Sequence, residues 1–118
     1  MGRPVVHFEI GCRDKDKTKA FYSELFGWST TEAGPAVLID TQAPGQGIHG
    51  HMTSLGHEPF HYTIFYVDVD DVAEALARAE SLGGKMLVPP VTIPAGTFAW
   101  FADPEGNTVG LWKAAGPQ

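Results

Sequence analysis

Two pairs of polar residues have types and spacings that suit chemistry. His7 and Glu9 lie two residues apart in a run of β-branched and aromatic residues, and His49 and His51 lie two apart in a glycine-rich run. Side chains two apart on a strand share one face. An imidazole titrates near neutral pH and burial raises the pKa of a carboxylate, so His7 and Glu9 form a candidate acid and base pair. The three imidazoles, with Glu9 nearby, are also candidate ligands for a divalent metal.

The elements that must position these residues follow from the local patterns. Residues 5–12 alternate between apolar and polar types and predict a strand, after which Asp14 or Asp16 can cap a helix. Apolar residues at four-residue spacing predict a helix over 17–26, ended by Gly27. Three short strands are expected near 28–32, 36–41 and 47–53, separated by turn-rich segments.

The same order recurs in the second half of the chain. A β-rich run over 61–69 precedes Asp70 and Asp71, either a suitable cap, and a helical stripe that ends at Gly83. Strands are predicted near 85–88, 97–102 and 108–113, the last two joined by the turn sequence DPEGN. Gly27 and Gly83 lie the same distance after Asp14 and Asp70, which indicates a duplicated βαβββ unit.

Composition narrows the class of partner. The chain has 118 residues, a formal net charge of −6 and no clustered basic residues. Binding to nucleic acid or to an anionic membrane is therefore not expected, because both need a basic surface. No apolar stretch approaches the roughly 20 residues that span a bilayer, and the first six residues are too short for a signal peptide. The single cysteine, Cys12, cannot form an intramolecular disulfide. We expect a cytoplasmic protein that binds small molecules or other proteins.

Ordered motifs cover nearly the whole chain. They are VVHFEIGCRD and FYSELFGW in the first half, GQGIHGHM between the halves, then VDDVAEAL, LGGK and FADPEGNTVGLW. In this order they resemble the vicinal oxygen chelate superfamily of glyoxalases, bleomycin-resistance proteins and extradiol dioxygenases. The resemblance implies one α+β domain of two βαβββ modules, about 3–54 and 59–114, whose sheets curl into a half-barrel around a cavity. In the metalloenzymes of the superfamily a divalent ion lies in that cavity and acts as a Lewis acid.

The resemblance also implies where the metal ligands should be. His7 matches the first ligand position, but the second falls on Ile64 and the carboxylate position falls on Gly110. Neither residue can ligate a metal, so we expect the family metal to be absent and no cofactor to be needed. A displaced site formed by His7, His49 and His51 is the alternative, and a loosened edge strand with partly exposed histidines is the simpler interpretation of residues 47–52.

Carrying the cavity-facing positions of the superfamily onto this sequence by strand parity gives a largely aromatic lining. Such a lining suits a flat or apolar ligand held by a few polar contacts. Gly110 in place of a carboxylate is expected to add room for that ligand. Some of these rings could instead fill the core, Trp112 above all. The predicted ligand-binding residues are Tyr62, Ile64, Tyr66, Phe98, Trp100, Gly110, His49 and His51, with Thr108 and Trp112 on the same face as Gly110.

Three hypotheses of function follow. The leading one is a metal-free protein that binds a small aromatic or hydrophobic molecule, by sequestration or through a metal-independent reaction that uses His7 and Glu9. The first alternative is a divalent-metal-dependent lyase, isomerase or dioxygenase that uses His7 with His49 or His51. The second is a non-catalytic regulatory or interaction module. A homodimer is expected in each case, because a small half-barrel leaves apolar edges and faces to cover.

Overall fold

The element order repeats a βαβββ pattern. The computed structural model describes residues 2–42, 45–54 and 61–116. The first pattern comprises β1 (Val5–Gly11), α1 (Lys15–Phe26), β2 (Ser29–Ala33), β3 (Ala36–Asp40) and β4 (His49–Thr53). The second comprises β5 (Tyr62–Asp68), α2 (Val72–Ser81), β6 (Lys85–Ile93), β7 (Gly96–Ala102) and β8 (Thr108–Ala114). The predicted α+β class and its duplicated order are therefore confirmed.

The chain divides into two compact units. The N-terminal unit is His7–Ile64, and the C-terminal unit is Met1–Val6 together with Phe65–Gln118. The strand order is β2-β3-β4-β1 in the first and β5-β8-β7-β6 in the second. In both, the first and last strands of the pattern pair in parallel and the others pair antiparallel. The two halves of the sequence thus build the same topology.

In the N-terminal unit, helix α1 fixes which face of β1 is apolar. Asp14 caps α1 by accepting a hydrogen bond from the Lys17 backbone N–H at 3.0 Å. The helix ends at Gly27, which has a left-handed φ of 72° that favours glycine. The core on this side contains Ile10, Cys12, Val37, Ile39 and Met52, with Phe8, Tyr22 and Trp28 packed against it. Since Phe8 and Ile10 face this core, strand alternation turns His7 and Glu9 to the opposite face.

Gly50, between the two histidines of β4, has a packing role. It lies opposite Phe8 in the parallel ladder, and a Cβ at Gly50 would be 2.4 Å from the Phe8 carbonyl oxygen and 2.7 Å from its ring. Only glycine leaves room for that ring. The edge-strand interpretation of this segment is wrong, because β4 lies between β3 and β1 in the sheet.

The C-terminal unit is also built from a capped helix that packs against strand residues. Asp71 caps α2 by accepting from the Glu74 backbone N–H at 3.0 Å. Val72 and Leu76 of the helix pack with Val69, Ala99 and Leu111. In the turn between β7 and β8, the Asp103 carboxylate accepts the backbone N–H groups of Glu105 and Asn107, both at 2.9 Å. Turn chemistry therefore accounts for Asp103 in full. No helix in the described ranges is long and apolar enough to span a bilayer.

Strand β6 is longer than the prediction, which ended it at Val88. It continues through Pro89 and Pro90 to Ile93, and its register with β7 shifts between Val88 and Val91. Val88 pairs with Trp100 and Val91 with Phe98, so two prolines oppose one residue, Ala99. This is a β-bulge on the last strand of the order, where the missing proline N–H groups cost no ladder hydrogen bond. Sequence rules that stop a strand at proline miss this case.

Candidate functional site

Strands β1 and β4 bring the two polar pairs together. Their parallel register sets His7 opposite His49 and Glu9 opposite His51. All four side chains lie on the face opposite α1, because their neighbours Phe8, Ile10 and Met52 pack on the helix side. The sequence predicted that each pair shares a face. It did not predict that the two pairs would be adjacent, since that depends on the pairing of strands about 40 residues apart.

A continuous hydrogen-bonded array runs across this face. The His7 Nε2 and His51 Nδ1 atoms are 2.7 Å apart, with ring centroids at 5.0 Å. The other nitrogen of His51, Nε2, is 3.2 Å from Glu9 Oε1. The Tyr62 hydroxyl donates a short hydrogen bond to Glu9 Oε2. We call these four residues, His7, His51, Glu9 and Tyr62, the polar array.

Glu9 is the anchor of the polar array. Only 3% of its surface is exposed, and a buried carboxylate is tolerated only when hydrogen bonds satisfy its oxygens. Tyr62 satisfies one oxygen and His51 the other. Burial, followed by the hydrogen bond to Glu9, raises the pKa of Tyr62, so the phenol keeps its proton and remains a donor.

The electrostatics of the array keep His7 neutral at pH 7. The pKa of His7 is lowered from 6.5 to about 4, mainly by burial and then by the neighbouring His51, while Glu9 opposes the shift. With neutral imidazoles one proton arrangement satisfies each contact. His51 donates its Nε2–H to Glu9, its bare Nδ1 accepts from the Nε2–H of His7, and the Nδ1 of His7 is then an acceptor. Glu9 thereby sets the tautomer of His7 indirectly, through its hydrogen bond with His51.

His49 does not join the array. Its side chain is 59% exposed, and its Nδ1 accepts the Thr41 backbone N–H at 3.1 Å. The Asp40 carboxylate lies 3.5 Å from the same nitrogen. Because that nitrogen already accepts a hydrogen bond, we assign the Asp40 contact a minor role. The predicted three-histidine cluster is therefore reduced to His7 and His51.

The family's metal ligand set does not fit the residues present. Ile64 is 4% exposed and has no donor atom, and Gly110 has no side chain. The Nε2 atom of His7 faces the His51 ring rather than an open position. Within residues 2–42, 45–54 and 61–116, no group of three His, Cys, Asp or Glu side chains is arranged to hold a metal ion.

In the C-terminal unit, the position of the family carboxylate is filled by an aromatic ring. Tyr66 pairs with Gly110 in the β5–β8 ladder, and a Cβ at Gly110 would lie 2.3 Å from Tyr66 Cδ1 and 2.4 Å from Cε1. Trp100 holds the ring by donating its Nε1–H to the Tyr66 hydroxyl at 2.8 Å. The expected extra room for a ligand at Gly110 is thus wrong, because Tyr66 occupies it.

The remaining predicted aromatic residues lie along β7 and β8. Trp100 is 5% exposed and Tyr66 is 4% exposed, whereas Phe98 is half-buried. Phe98 pairs with Trp112, which is also half-buried and whose ring approaches Gly96. Thr108 pairs with Ala102 at the start of β8. Phe98 and Trp112 therefore leave more ring surface for contact than Trp100 does.

Three features of these sites were missed from sequence. They are the bridging position of His51, the bond from Tyr62 to Glu9, and the bond from Trp100 to Tyr66. The first was within reach, because a βαβββ unit pairs its first and last strands in parallel and the HxE and HxH motifs then fall into register. The other two are side-chain contacts that depend on rotamers, for which the sequence carries no signal.

Comparison with known proteins agrees with these observations. The chain matches the Glyoxalase/Bleomycin resistance protein/Dioxygenase superfamily over residues 5–111. A glyoxylase-like domain-containing protein of Didymella fabae is 30% identical over 109 residues, covering 85% of each chain. The anthracycline biosynthesis protein DnrV of Streptomyces peucetius is 27% identical over 133 aligned residues, which cover 90% of this chain but only 45% of that relative.

The fold is also found among solved structures. Methylmalonyl-CoA epimerase from Mycobacterium tuberculosis superposes with a TM-score of 0.70 at 16% identity, covering 95% of this chain and 88% of the epimerase. At that identity the likeness concerns the fold alone. The match over residues 5–111, the 30% identical relative and the duplicated βαβββ order agree with one another. The chain therefore belongs to the Glyoxalase/Bleomycin resistance protein/Dioxygenase superfamily.

Proposed function

We propose that this chain binds a small aromatic or hydrophobic molecule on the sheet face that carries the polar array, without the divalent metal of its metalloenzyme relatives. The observation that carries the proposal is the saturation of Glu9 by Tyr62 and His51. A carboxylate whose two oxygens are both engaged in a buried network is satisfied by hydrogen bonds alone, which supports a site without a metal. Ile64 and the Tyr66 ring over Gly110 argue in the same direction.

The surface around the array supports an apolar ligand. One row of paired residues crosses three strands of the face, from Leu38 through His51 to Glu9. Leu38 is 49% exposed beside the array. A ligand lying on this row covers Leu38 with its apolar body and reaches His7 with a polar group. Binding sites for small molecules commonly combine apolar contact with a few placed polar groups in this way.

The array also defines what chemistry the site offers. In the proton arrangement described above, the Nδ1 of His7 carries no proton, so His7 suits a ligand hydroxyl or N–H group. If His7 accepts a proton there, it can pass its Nε2–H to His51, which passes its own proton to Glu9. Charge then moves along the array while each heavy atom stays in place. Both sequestration and a metal-independent proton transfer use this arrangement.

The names of two relatives give a first ligand class to test. DnrV, and DauV of a Streptomyces strain at 28% identity, are both anthracycline biosynthesis proteins. An anthracycline carries a flat fused-ring system with phenolic hydroxyls, which matches an apolar row next to an imidazole acceptor. This chain spans less than half the length of each relative, so the comparison supports a ligand class and no particular reaction.

A titration with doxorubicin and with bleomycin tests the proposal. Binding would be followed by tryptophan fluorescence and by the shift in melting temperature. We expect saturable binding of the anthracycline, weakened at least tenfold by Leu38→Asp, which places a charge where the apolar ring would lie. Leu82→Asp is the matched control, since Leu82 is also exposed, at 65%. Binding that Leu38→Asp leaves unchanged, or no saturation with either probe, would count against the proposed site.

A metal-dependent reaction is the second candidate, and it rests on the residue types of the array rather than on their present arrangement. The facing nitrogens of His7 and His51 are 2.7 Å apart, with the Glu9 carboxylate next in the array. Two imidazoles and a carboxylate are ligand types that iron, zinc and nickel accept. Metal analysis separates the two candidates. A regulatory module that binds no small molecule is the third, and the ligand titration separates it from both.

A further inference from the structure

The hydrogen bonds of the polar array run in one direction, which starts at the carboxylate. The Tyr62 hydroxyl donates to Glu9 Oε2, and a carboxylate can only accept. Glu9 Oε1 therefore takes the Nε2–H of His51, at 3.2 Å. A neutral imidazole that donates from one nitrogen accepts at the other. His51 Nδ1 then accepts from His7 Nε2, at 2.7 Å, and the Nδ1 of His7 carries no proton.

Burial of the carboxylate holds this direction in place. Glu9 is 3% exposed, so its oxygens depend on donors of the chain, and losing one would leave a buried acceptor unsatisfied. The reversed tautomer of His51 would place an unprotonated nitrogen 3.2 Å from that carboxylate, which sets two acceptors against each other. The orientation of both rings is thus fixed from the buried end of the array, and the consequence appears at the His7 end.

We propose that Glu9 determines the ligand specificity of the site without touching the ligand, because through His51 it leaves the Nδ1 of His7 unprotonated and so selects molecules that donate a hydrogen bond. This inference rests on the proposed function, since it concerns the ligand held at His7. Any group that meets Nδ1 has to be a donor, such as a ring N–H or a phenol that keeps its proton. A ketone or ether oxygen would direct its lone pairs at those of the nitrogen. An anion would also be repelled by the nearby Glu9 carboxylate.

Glu9→Gln should reverse the direction of the array. The amide keeps one acceptor oxygen and gains an NH2 group that only donates. Tyr62, whose hydroxyl donates to position 9, holds the amide oxygen and leaves the NH2 group beside His51. His51 then accepts at Nε2 and donates from Nδ1, so His7 accepts at Nε2 and becomes protonated at Nδ1. Neutral hydrogen bonds replace charge-assisted ones, so the variant should be less stable than the parent chain.

The chemical shifts of the imidazole nitrogens test this assignment on the chain without ligand. Nitrogen-15 spectra at pH 7 distinguish a protonated ring nitrogen from an unprotonated one, and spectra of His7→Gln and His51→Gln assign the two rings. We expect the Nδ1 of His7 to be unprotonated in the parent chain and protonated in Glu9→Gln. Tyr62→Phe is the matched control. It removes a hydrogen bond to the same carboxylate but keeps the acceptor that orients His51, so Nδ1 should stay unprotonated.

Two flat probes of similar size test the ligand preference. Indole can only donate a hydrogen bond from its ring N–H, and 1-indanone can only accept one at its ketone oxygen. Calorimetric titration should show that the parent chain binds indole about fivefold more tightly than 1-indanone, the factor that one net hydrogen bond contributes. In Glu9→Gln the order should reverse by a similar factor, whereas Tyr62→Phe should keep the order of the parent chain.

The two measurements separate a failure of this inference from a failure of the proposed function. A protonated Nδ1 of His7 in the parent chain, a doubly protonated His51, or an order of probes that Glu9→Gln leaves unchanged would overturn the role of Glu9, while a bound probe would still support the ligand site. A tautomer that reverses as expected in a chain that binds neither probe at millimolar concentration would overturn the ligand site at His7, and the selection of donors with it.

Discussion

Gly110→Ala is a sensitive probe of the pairing between Tyr66 and Gly110. The added Cβ would lie 2.3 Å from Tyr66 Cδ1, more than 1 Å inside ordinary carbon contact at about 3.5 Å. The ring cannot move away cheaply, because it is 4% exposed and its hydroxyl accepts the Trp100 Nε1–H at 2.8 Å. Overpacking of this kind costs about 1–3 kcal/mol. Breaking the buried hydrogen bond would add about 1 kcal/mol.

We therefore expect Gly110→Ala to lower the free energy of unfolding by about 2–4 kcal/mol. Urea denaturation followed by tryptophan fluorescence measures this loss. Gly116→Ala is the matched control, because a Cβ there meets no atom within 4 Å, and it should change stability by less than about 0.5 kcal/mol.

A double-mutant cycle with Tyr66→Ala identifies the cause. Tyr66→Ala alone should cost about 3–5 kcal/mol for the lost ring, but it also removes the atoms that the new methyl group would meet. The double variant should therefore be more stable than the sum of the single changes predicts, by about 1–3 kcal/mol. Strict additivity, or a loss of under 0.5 kcal/mol for Gly110→Ala, would refute the account of Gly110 as space for Tyr66.

The remaining predictions concern the polar array. Stability should fall as the pH drops from about 6.5 toward about 4, because the unfolded chain protonates His7 at its ordinary pKa of 6.5 while the folded pKa is about 4. The loss of stability for this partly buried ring is on the order of 2 kcal/mol. Urea midpoints at pH 7 and 4.5 should show that His7→Gln removes much of this loss. An unchanged pH dependence in the variant would count against the buried neutral ring. Glu9→Gln should destabilise the fold by about 1–3 kcal/mol, because the amide cannot accept from both Tyr62 and His51; a neutral result in thermal denaturation would mean that the carboxylate is not needed there. Elemental analysis of the purified chain should find well under one zinc, nickel, manganese or iron per chain; a stoichiometric metal that His7→Ala removes would favour the displaced metal site instead.

Local sequence signals determined the elements and their ends. Asp14 and Asp71, each one of two predicted candidates, cap the helices, and Gly27 ends α1 in the left-handed conformation that favours glycine. These features depend on residues within one turn of each other, so the sequence alone carries them. The duplicated βαβββ order followed from the same signals. Proline in β6 was the exception, because its tolerance depends on the place of the strand in the sheet.

The candidate site was likewise predicted only in part from the sequence. Residue types and strand parity identified two pairs that each share a face, His7 with Glu9 and His49 with His51. The family resemblance identified Ile64 and Gly110 as positions without a metal ligand. Only the tertiary structure decided that His51 bridges His7 and Glu9, that His49 instead meets Thr41, and that Tyr66 fills the space at Gly110. The physical reason is that these contacts join strands and loops remote in sequence through particular rotamers. Parity fixes the face on which a side chain lies, but neighbouring strands and packed rings decide what it touches.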